Sequence, residues 1–390
     1  MTLSGSNDPF RAMDKALGNR RRARICMLTE RGFLRNAFRC ATYEGEDVLL
    51  DVDDVELMHL RPGKAFELRE RFHNKLIWYD FTKEIIFKNI AFQPIKLTKE
   101  YDLFIAYCLF CGDLPHISAI RGWKDHCKTS VCWINELWAD SVPKYKSWLS
   151  ALKEFDHVVV GLHGTVKALS DVIERPCHVV PAGVDAIRFS PYPQFPARVI
   201  DIYSIGRIWE KLHQTVLNLA AKKGLFYVYD TFLASDAQVF DYRLHREMFA
   251  NMAKRSRYFH VAPAKMNATE ETKGQIEVGY RYYEASAAGA IMLGQVPNCE
   301  SFSTMFNWPD AVIEIQPDGS DVADVISSLA AQPKRLLEIS RRNAREALLR
   351  HDWVYRWKKI LNIAGLKPAP ELEIRENRLK QMAEQIGNGE

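Results

Sequence analysis

The chain of 390 residues predicts an α/β protein of two parallel-sheet domains with helices on both faces, and three observations carry that expectation. The length exceeds what a single hydrophobic core ordinarily organises. Short apolar runs alternate with stretches of helical period, the pattern of a parallel sheet wrapped by helices. Between residues 186 and 198 the alternation halts at Pro191, Pro193 and Pro196, which deny the backbone regular hydrogen bonding, and afterwards it restarts.

In chain order, residues 1–22 are expected to form a flexible N-terminus, with the basic "NRRRAR" around its end. "ICML" reads as the first strand, "TERGFLRNAFRCATYEG" has helical potential, and "DVLLDV" reads as the second strand. The stretch from "LRPGKAFELRERFHNK" to "KNIAF" resists parsing. "YDLFIAYCLF", "TSVCWI", "DHVVVG" and "CHVVPAG" then follow as strands, with helices "KSWLSALKEF" and "TVKALSDVI" among them, which sets a first domain at 23–190. Beyond the prolines, strands "VIDIYSIG", "FYVYDT", "RYFHVAP" and "AVIEI" alternate with helices "EKLHQTVLNLAAKKG" and "RLHREMFANMAKRS", setting a second domain at 198–345. Helical period continues through 346–367, and residues 368–390 are a charged tail, read as a loose or peripheral helix.

Composition excludes more than it identifies. Hydrophobic residues at 47% and charged ones at 26% describe a globular chain without disordered or fibrous bias. A net charge of +4 is too mild to select a partner. No apolar run reaches the roughly 18 residues of a membrane span, and "MTLSGSNDPF" lacks the regions of a secretory signal. A cytoplasmic protein with reduced cysteines is therefore expected. Cys108, Cys111, Cys127 and Cys132 approximate a four-cysteine zinc spacing, but they lie in apolar, strand-like runs, so buried thiols are the preferred reading and no metal is expected.

Two motifs carry chemistry. "IDIYSIG" runs into Gly206-Arg207, with Lys211 one helical turn later. A glycine at the carboxyl end of a parallel strand lets the backbone approach a ligand, and a helix starting there offers free N–H groups, so the three residues suit a diphosphate; a solvated basic pair is the plain alternative. The second is "GQIEVGYRYYEASAAGAIMLGQ". A helix beginning near Tyr280 holds Glu284 in its first turns, where the carboxylate either faces a cleft and binds two vicinal hydroxyls or merely complements the helix dipole. Ala285 to Ala288 let that helix pack closely on the sheet.

Taken together, "HVVPAGVDAIRFSP", "YSIGRIWEK" and "GYRYYEASAAGAIML", in this order, resemble the signature of GT-B glycosyltransferases of the group-1 family, which retain anomeric configuration and use nucleotide sugars. The resemblance covers about residues 155 to 365. It implies the GT-B fold, two Rossmann-like domains facing across a cleft, with the helix at 346–367 crossing back to the first domain. Gly206, Arg207 and Lys211 correspond to the residues that bind the donor diphosphate, although Lys211 stands one position early and lacks a following glycine. Glu284 corresponds to the second glutamate of a pair, which holds the ribose, with Gly279 at the start of its helix. Glu277 is the nearest match to the first glutamate, beside the transferred sugar, but six residues separate the two where the family has seven. The family's His-Asp dipeptide has no counterpart, and Asn135-Glu136 stands in its place.

The implied reaction is sugar transfer, with retention of configuration, from a nucleotide diphosphate to a glycan, lipid-linked or small-molecule acceptor, the negative charge growing on the leaving diphosphate being stabilised by Arg207, Lys211 and backbone N–H groups without a metal or other cofactor. Glu277, Glu136, Arg207 and Lys211 are the residues assigned to the chemistry. Among possible bases, His116, His163, Asp113 and Glu136, the last is favoured because its strand end should face the cleft. Trp123, Trp133, Trp138 and Trp148 suit sugar stacking, though buried anchors are the commoner fate of such residues. Asp51 and Asp53 resemble the metal-holding pair of GT-A enzymes, and a solvated strand end is the preferred reading; no G-x-G-x-x-G supports a dinucleotide enzyme. A nucleotide-sugar epimerase and an inert binding subunit on the same fold are the rival functions. The basic "KRLLEISRRNAREALLRHDWVYRWKK" has apolar residues at helical spacing and reads as an amphipathic helix, so nucleic acid is not an expected partner. With "NRRRAR" its charge permits peripheral contact with the anionic inner face of a membrane.

Overall fold

The computed structural model describes residues 23–63, 92–193, 195–231 and 237–387. The expected flexible N-terminus, 1–22, lies outside the described residues, as do most of the unparsed stretch, 64–91, and the last three residues of the tail.

The strands are β1 (Ile25–Thr29), β2 (Val55–His59), β3 (Ile95–Lys96), β4 (Tyr101–Phe110), β5 (Ile120–Arg121), β6 (Cys127–Glu136), β7 (His157–Val160), β8 (His178–Val179), β9 (Ile200–Ser204), β10 (Tyr227–Tyr229), β11 (Ser256–Val261), β12 (Ile291–Gly294) and β13 (Ile313–Glu314). They form one sheet ordered β2-β1-β4-β6-β7-β8, a second ordered β10-β9-β11-β12-β13, and a small β3-β5 pair. Every neighbouring pair is parallel. Each large sheet starts in its interior, adds one strand on one side, and then crosses to the other, so strand order reverses between β1 and β4 and again between β9 and β11. The carboxyl ends at such a reversal splay apart and leave a crevice. β4 is buried from Leu103 to Leu109 and β6 from Ser130 to Asn135, which explains the apolar runs there: helices cover both faces.

The longer helices that position the site are α1 (Cys40–Val52), α2 (Glu210–Lys223), α3 (Tyr242–Lys254), α4 (Tyr280–Ala287), α5 (Pro333–Arg350), α6 (Trp353–Ile363) and α7 (Pro370–Gly387). "DVLLDV", expected as a strand, is the last turn and a half of α1, and the strand is the next segment, "VELMH". Val48, Leu49 and Val52 are spaced to bury one helical face, a period too short in so brief a run to separate from a strand. Asp53 closes this helix, and Arg24 donates to both of its carboxylate oxygens at 2.7 and 2.6 Å, so the Asp51/Asp53 pair is not an open metal site.

The helix read continuously through 346–367 is two helices. Asp352 breaks it by accepting the Val354 N–H at 2.9 Å as the N-cap of α6. α6 drives Trp353 and Trp357 into the first domain, where Tyr107 stacks on Trp133 at 4.4 Å and Trp357 meets Trp133 edge-on at 5.4 Å. The Trp357 indole N–H donates to the Gly45 carbonyl at 2.7 Å. A Cβ on Gly45 would come within 3.1 Å of the Trp353 ring, so a glycine in the middle of α1 is what permits this crossing. The charged tail is not loose. α7 buries Leu372, Leu379, Ala383 and Ile386, and Arg375 donates to Asp185 at 2.7 Å and to Asp352 at 2.9 Å.

A single apolar cluster runs through both sheets, from Leu103 and Trp133 to Tyr203, Phe259 and Met292. Near it the two domains also share backbone: Ala37 N–H donates to Ala237 at 2.9 Å and Val239 N–H to Arg35 at 2.8 Å. Among the described residues no helix is long and apolar enough to cross a membrane.

Candidate active site

A cavity of about 380 Å³ lies between the carboxyl ends of the two sheets. The first domain contributes Phe110, Asn135 and Glu136 from the ends of β4 and β6, and Gly161, Leu162, Pro181 and Ala182 from the turns after β7 and β8. The second contributes Arg207 after β9, Ala264 and Lys265 after β11, and Glu277 to Tyr280 at the start of α4. Parallel strands end together, and the helix that follows each one begins there, so both crevices meet in this hollow.

Of the residues singled out from sequence, Glu136, Arg207, Glu277 and Gly279 share this cavity. Arg207 is exposed and donates to Asn267 at 2.8 Å. Gly206 precedes it with φ of +86°, a left-handed conformation that a side chain would strain. Glu277 is buried, and its Oε1 accepts the Gly164 N–H at 2.8 Å and the Gln275 side-chain N–H at 2.8 Å. Gly279 caps α4, where a Cβ would lie 2.9 Å from the Ala262 carbonyl oxygen. Glu136 accepts from Trp138 Nε1 at 3.0 Å and pairs with Lys265 at 3.0 Å.

Lys211 and Glu284 are not brought to the cavity wall. Lys211 lies in the first turn of α2, exposed, on the side of Asp318. Asp318 is held below the usual carboxylate range first by the Ser320 N–H and also by Lys211. Glu284 is fully buried. Its Oε1 is held by Arg246 and its Oε2 by Arg281. Burial pushes this carboxyl up, but the two guanidinium groups outweigh it and hold the group below its ordinary range. Arg246 in turn donates to Glu44 of α1 at 2.8 and 3.0 Å. A chain of charges, Glu44–Arg246–Glu284–Arg281, buried in all but the partly exposed Arg281, thus joins the two domains behind the site.

The cleft is bridged as well. Lys265, in a left-handed conformation with φ of +51°, pairs with Glu136 across the cleft and with Glu271 at 2.7 Å. Despite burial, these two carboxylates raise the lysine's pKa and keep it charged. Gln275 accepts the Ala139 N–H at 2.9 Å, and Asn135 donates to Tyr107 at 3.0 Å and to Tyr280. A second cavity, of about 390 Å³, adjoins the first and shares Phe110, Glu136, Lys265 and Glu271 with it; Trp138, Asp140, Lys144 and Tyr145 are among its other wall residues.

The other proposed bases lie elsewhere. Asp113 and His116 are buried in a cluster with Glu30 and Arg39, and His163 is half exposed beside Glu300 at 3.3 Å. Glu30, Asp113 and His116 are the only metal-holding geometry among the described residues, and the Arg39 guanidinium already fills it, bonding Glu30 and donating to Asp113 at 2.8 Å. The four cysteines weighed as zinc ligands form no such group, and all are free thiols. Trp123, Trp133 and Trp148 are core residues, and Trp138 alone of the four reaches a cavity wall. Sequence reasoning missed Lys265, Arg246 and Arg281. Arg281 had a visible signal, three residues before Glu284 on one helix face; Arg246 and Lys265 had none, because their partners come from distant segments.

Residues 201–362 match the sequence model of the glycosyl transferase-like family. No curated protein matches the chain by sequence. Solved structures share its architecture at low identity. A UDP-forming α,α-trehalose-phosphate synthase from Burkholderia vietnamiensis is 9% identical with a TM-score of 0.53, covering 91% of this chain and 99% of its own. A glycosyltransferase from Rickettsia africae is 11% identical with a TM-score of 0.51, over 88% and 98% of the two chains. An α-glucosyltransferase in complex with UDP-glucose and DNA containing an abasic site is 11% identical with a TM-score of 0.52, over 87% and 99%. Two parallel sheets opening on one cavity, a returning pair of C-terminal helices and a family match across the second sheet lead to one conclusion: the chain has the GT-B fold, and residues 201–362 are similar to a glycosyl transferase-like domain.

Proposed function

We propose that the protein is a glycosyltransferase that moves a sugar from a nucleotide-diphosphate donor to an acceptor hydroxyl. The observation that carries this reading is the convergence of Arg207, Glu277, the N-terminus of α4 and Glu136 on one interdomain cavity. Fold neighbours that bind UDP-glucose or form UDP make a uridine donor the first choice.

In this reading the diphosphate lies on the Gly206–Arg207 backbone and guanidinium, and the sugar enters the cavity beside Glu277. The bond from the anomeric carbon to the diphosphate oxygen lengthens, and the negative charge growing on that oxygen is met by Arg207 and by the positive end of α4. The acceptor oxygen then bonds to the anomeric carbon while its proton passes to a donor phosphate oxygen or to Glu136. Attack from the face the diphosphate leaves gives retention, with Glu277 opposite to steady the positive sugar. The acceptor arrives through the second cavity, where Trp138 and Tyr145 suit a sugar ring and Lys265 stands at the junction.

One observation favours a second reading, an inert binding subunit: Glu277 and Glu136 are both already engaged, and the cleft is bridged. Turnover decides. UDP release from a panel of UDP-sugars is expected to rise when a glycan acceptor is added and to fall by about 10²–10³-fold in Arg207→Ala. Binding without release under any condition would leave the inert subunit, and isomerised donor formed without acceptor would identify an epimerase.

A further inference from the structure

We infer that Asp230, and not Glu284, is the carboxylate that holds the donor's ribose hydroxyls. The inference rests on the nucleotide-sugar reading above and deepens it.

Glu284 is unavailable. Its side chain is 1% exposed, and each of its oxygens is bonded to a guanidinium, one of which is anchored in turn by Glu44. A ribose could reach it only by displacing Arg281 or Arg246 and leaving a buried charge without its partner.

Asp230 meets the requirements that Glu284 fails. It directly follows β10, the second strand of the second sheet, while Gly206 lies just past β9, the first. In doubly wound sheets a phosphate sits at the turn after the first strand, and an acid at the end of the second faces the adjoining ribose. Here the two ends are physically joined: the Gly206 N–H donates to Asp230 Oδ2 at 2.7 Å. The other oxygen, Oδ1, has no hydrogen bond among the described residues and is free to accept from a hydroxyl. The space over Gly206 is open, since a Cβ there would meet nothing nearer than the Arg281 guanidinium at 3.7 Å. Arg207, the next residue, turns into the cavity. A nucleotide laid along Gly206–Arg207 therefore presents its ribose to Asp230 and its sugar to Glu277. Arg281 is the positioning residue: it donates to the Ile205 carbonyl at 3.2 Å, borders the open glycine and keeps Glu284 closed.

The experiment is calorimetric titration of the full chain with UDP, ADP and GDP and with their 2′-deoxy and 3′-deoxy forms. Wild type is expected to prefer one ribonucleotide over a deoxy form by about tenfold, the worth of a hydrogen bond to a charged group. Asp230→Asn is expected to bind the ribonucleotide about tenfold more weakly and to lose that discrimination. Glu284→Gln, measured on its folded fraction, is expected to keep the discrimination. Discrimination intact in Asp230→Asn and lost in Glu284→Gln would overturn this assignment while leaving the donor reading in place. Absence of binding by any of the nucleotides to wild type would overturn both.

Discussion

The two halves of the molecule share a strand plan and differ at the turn after the first strand. In the first domain that turn is Thr29-Glu30-Arg31, and it is filled with charge. Arg31 donates to Glu46 at 2.7 Å and to Asp47 at 2.9 Å, and Glu30 is bonded to Arg39 and His116, all of them buried or nearly so. In the second the turn is Ile205-Gly206-Arg207, with open backbone at the glycine and an exposed guanidinium beside it. The same topology thus builds one sealed crevice and one open crevice. What occupies the turn, and not the order of the strands, decides which of the two is open.

The largest effect should come from opening the sealed charges behind the site. Arg246→Met leaves Glu44 and Glu284 buried without their common partner and is expected to cost about 3–5 kcal/mol, read as a lower urea midpoint. Next is the open turn itself. Arg207→Ala should lower turnover by about 10²–10³-fold, equivalent to roughly 3–4 kcal/mol of transition-state stabilisation, with the urea midpoint nearly unchanged because the side chain is exposed. Equal loss of stability in both variants would erase the distinction between the two crevices.

The two sides also differ in the sign of their pH dependence. Burial pushes the Glu46 carboxyl up to about 7, against the pull of Arg31 and Thr29. Its contribution to stability is complete below the unfolded value of about 4.5 and is lost as pH rises through 7, by no more than about 3 kcal/mol. Glu284 is held below its ordinary value, so its contribution is present above about 4.5 and is lost as pH falls. Unfolding free energy measured from pH 4 to 8 should therefore lose its neutral-side decline in Glu46→Gln and part of its acid-side decline in Glu284→Gln. Slopes of the same sign in the two variants would contradict this. The smallest effect is steric: Gly45→Ala presses a methyl on the Trp353 ring and should cost about 1–2 kcal/mol in the same urea assay, without changing nucleotide affinity.

How far the fold and site were legible depends on the distance over which each feature is specified. Strands such as "YDLFIAYCLF" and "VIDIYSIG" declare themselves locally, by apolar runs of strand length between helical periods, and the glycine and arginine at 206 and 207 follow directly from the end of such a run. "DVLLDV" misleads because its few apolar residues fit both periods, and tertiary packing on α6 makes it helix. The tail looked loose because its Leu372, Leu379 and Ile386 are diluted among charges, while their partners come from α1 and α5. The fate of Glu284 was hidden for the same reason. Its neighbour Arg281 is three residues away, but Arg246 and Glu44 lie on other helices, and only the folded chain shows that the carboxylate is sealed.

The most direct test of the account is diffraction from crystals of the protein grown with UDP. The account predicts a diphosphate over Gly206 and Arg207, with its terminal phosphate directed toward Glu277 in the interdomain cavity. A nucleotide bound in the first domain's crevice, or density that avoids residues 206 and 207, would contradict it.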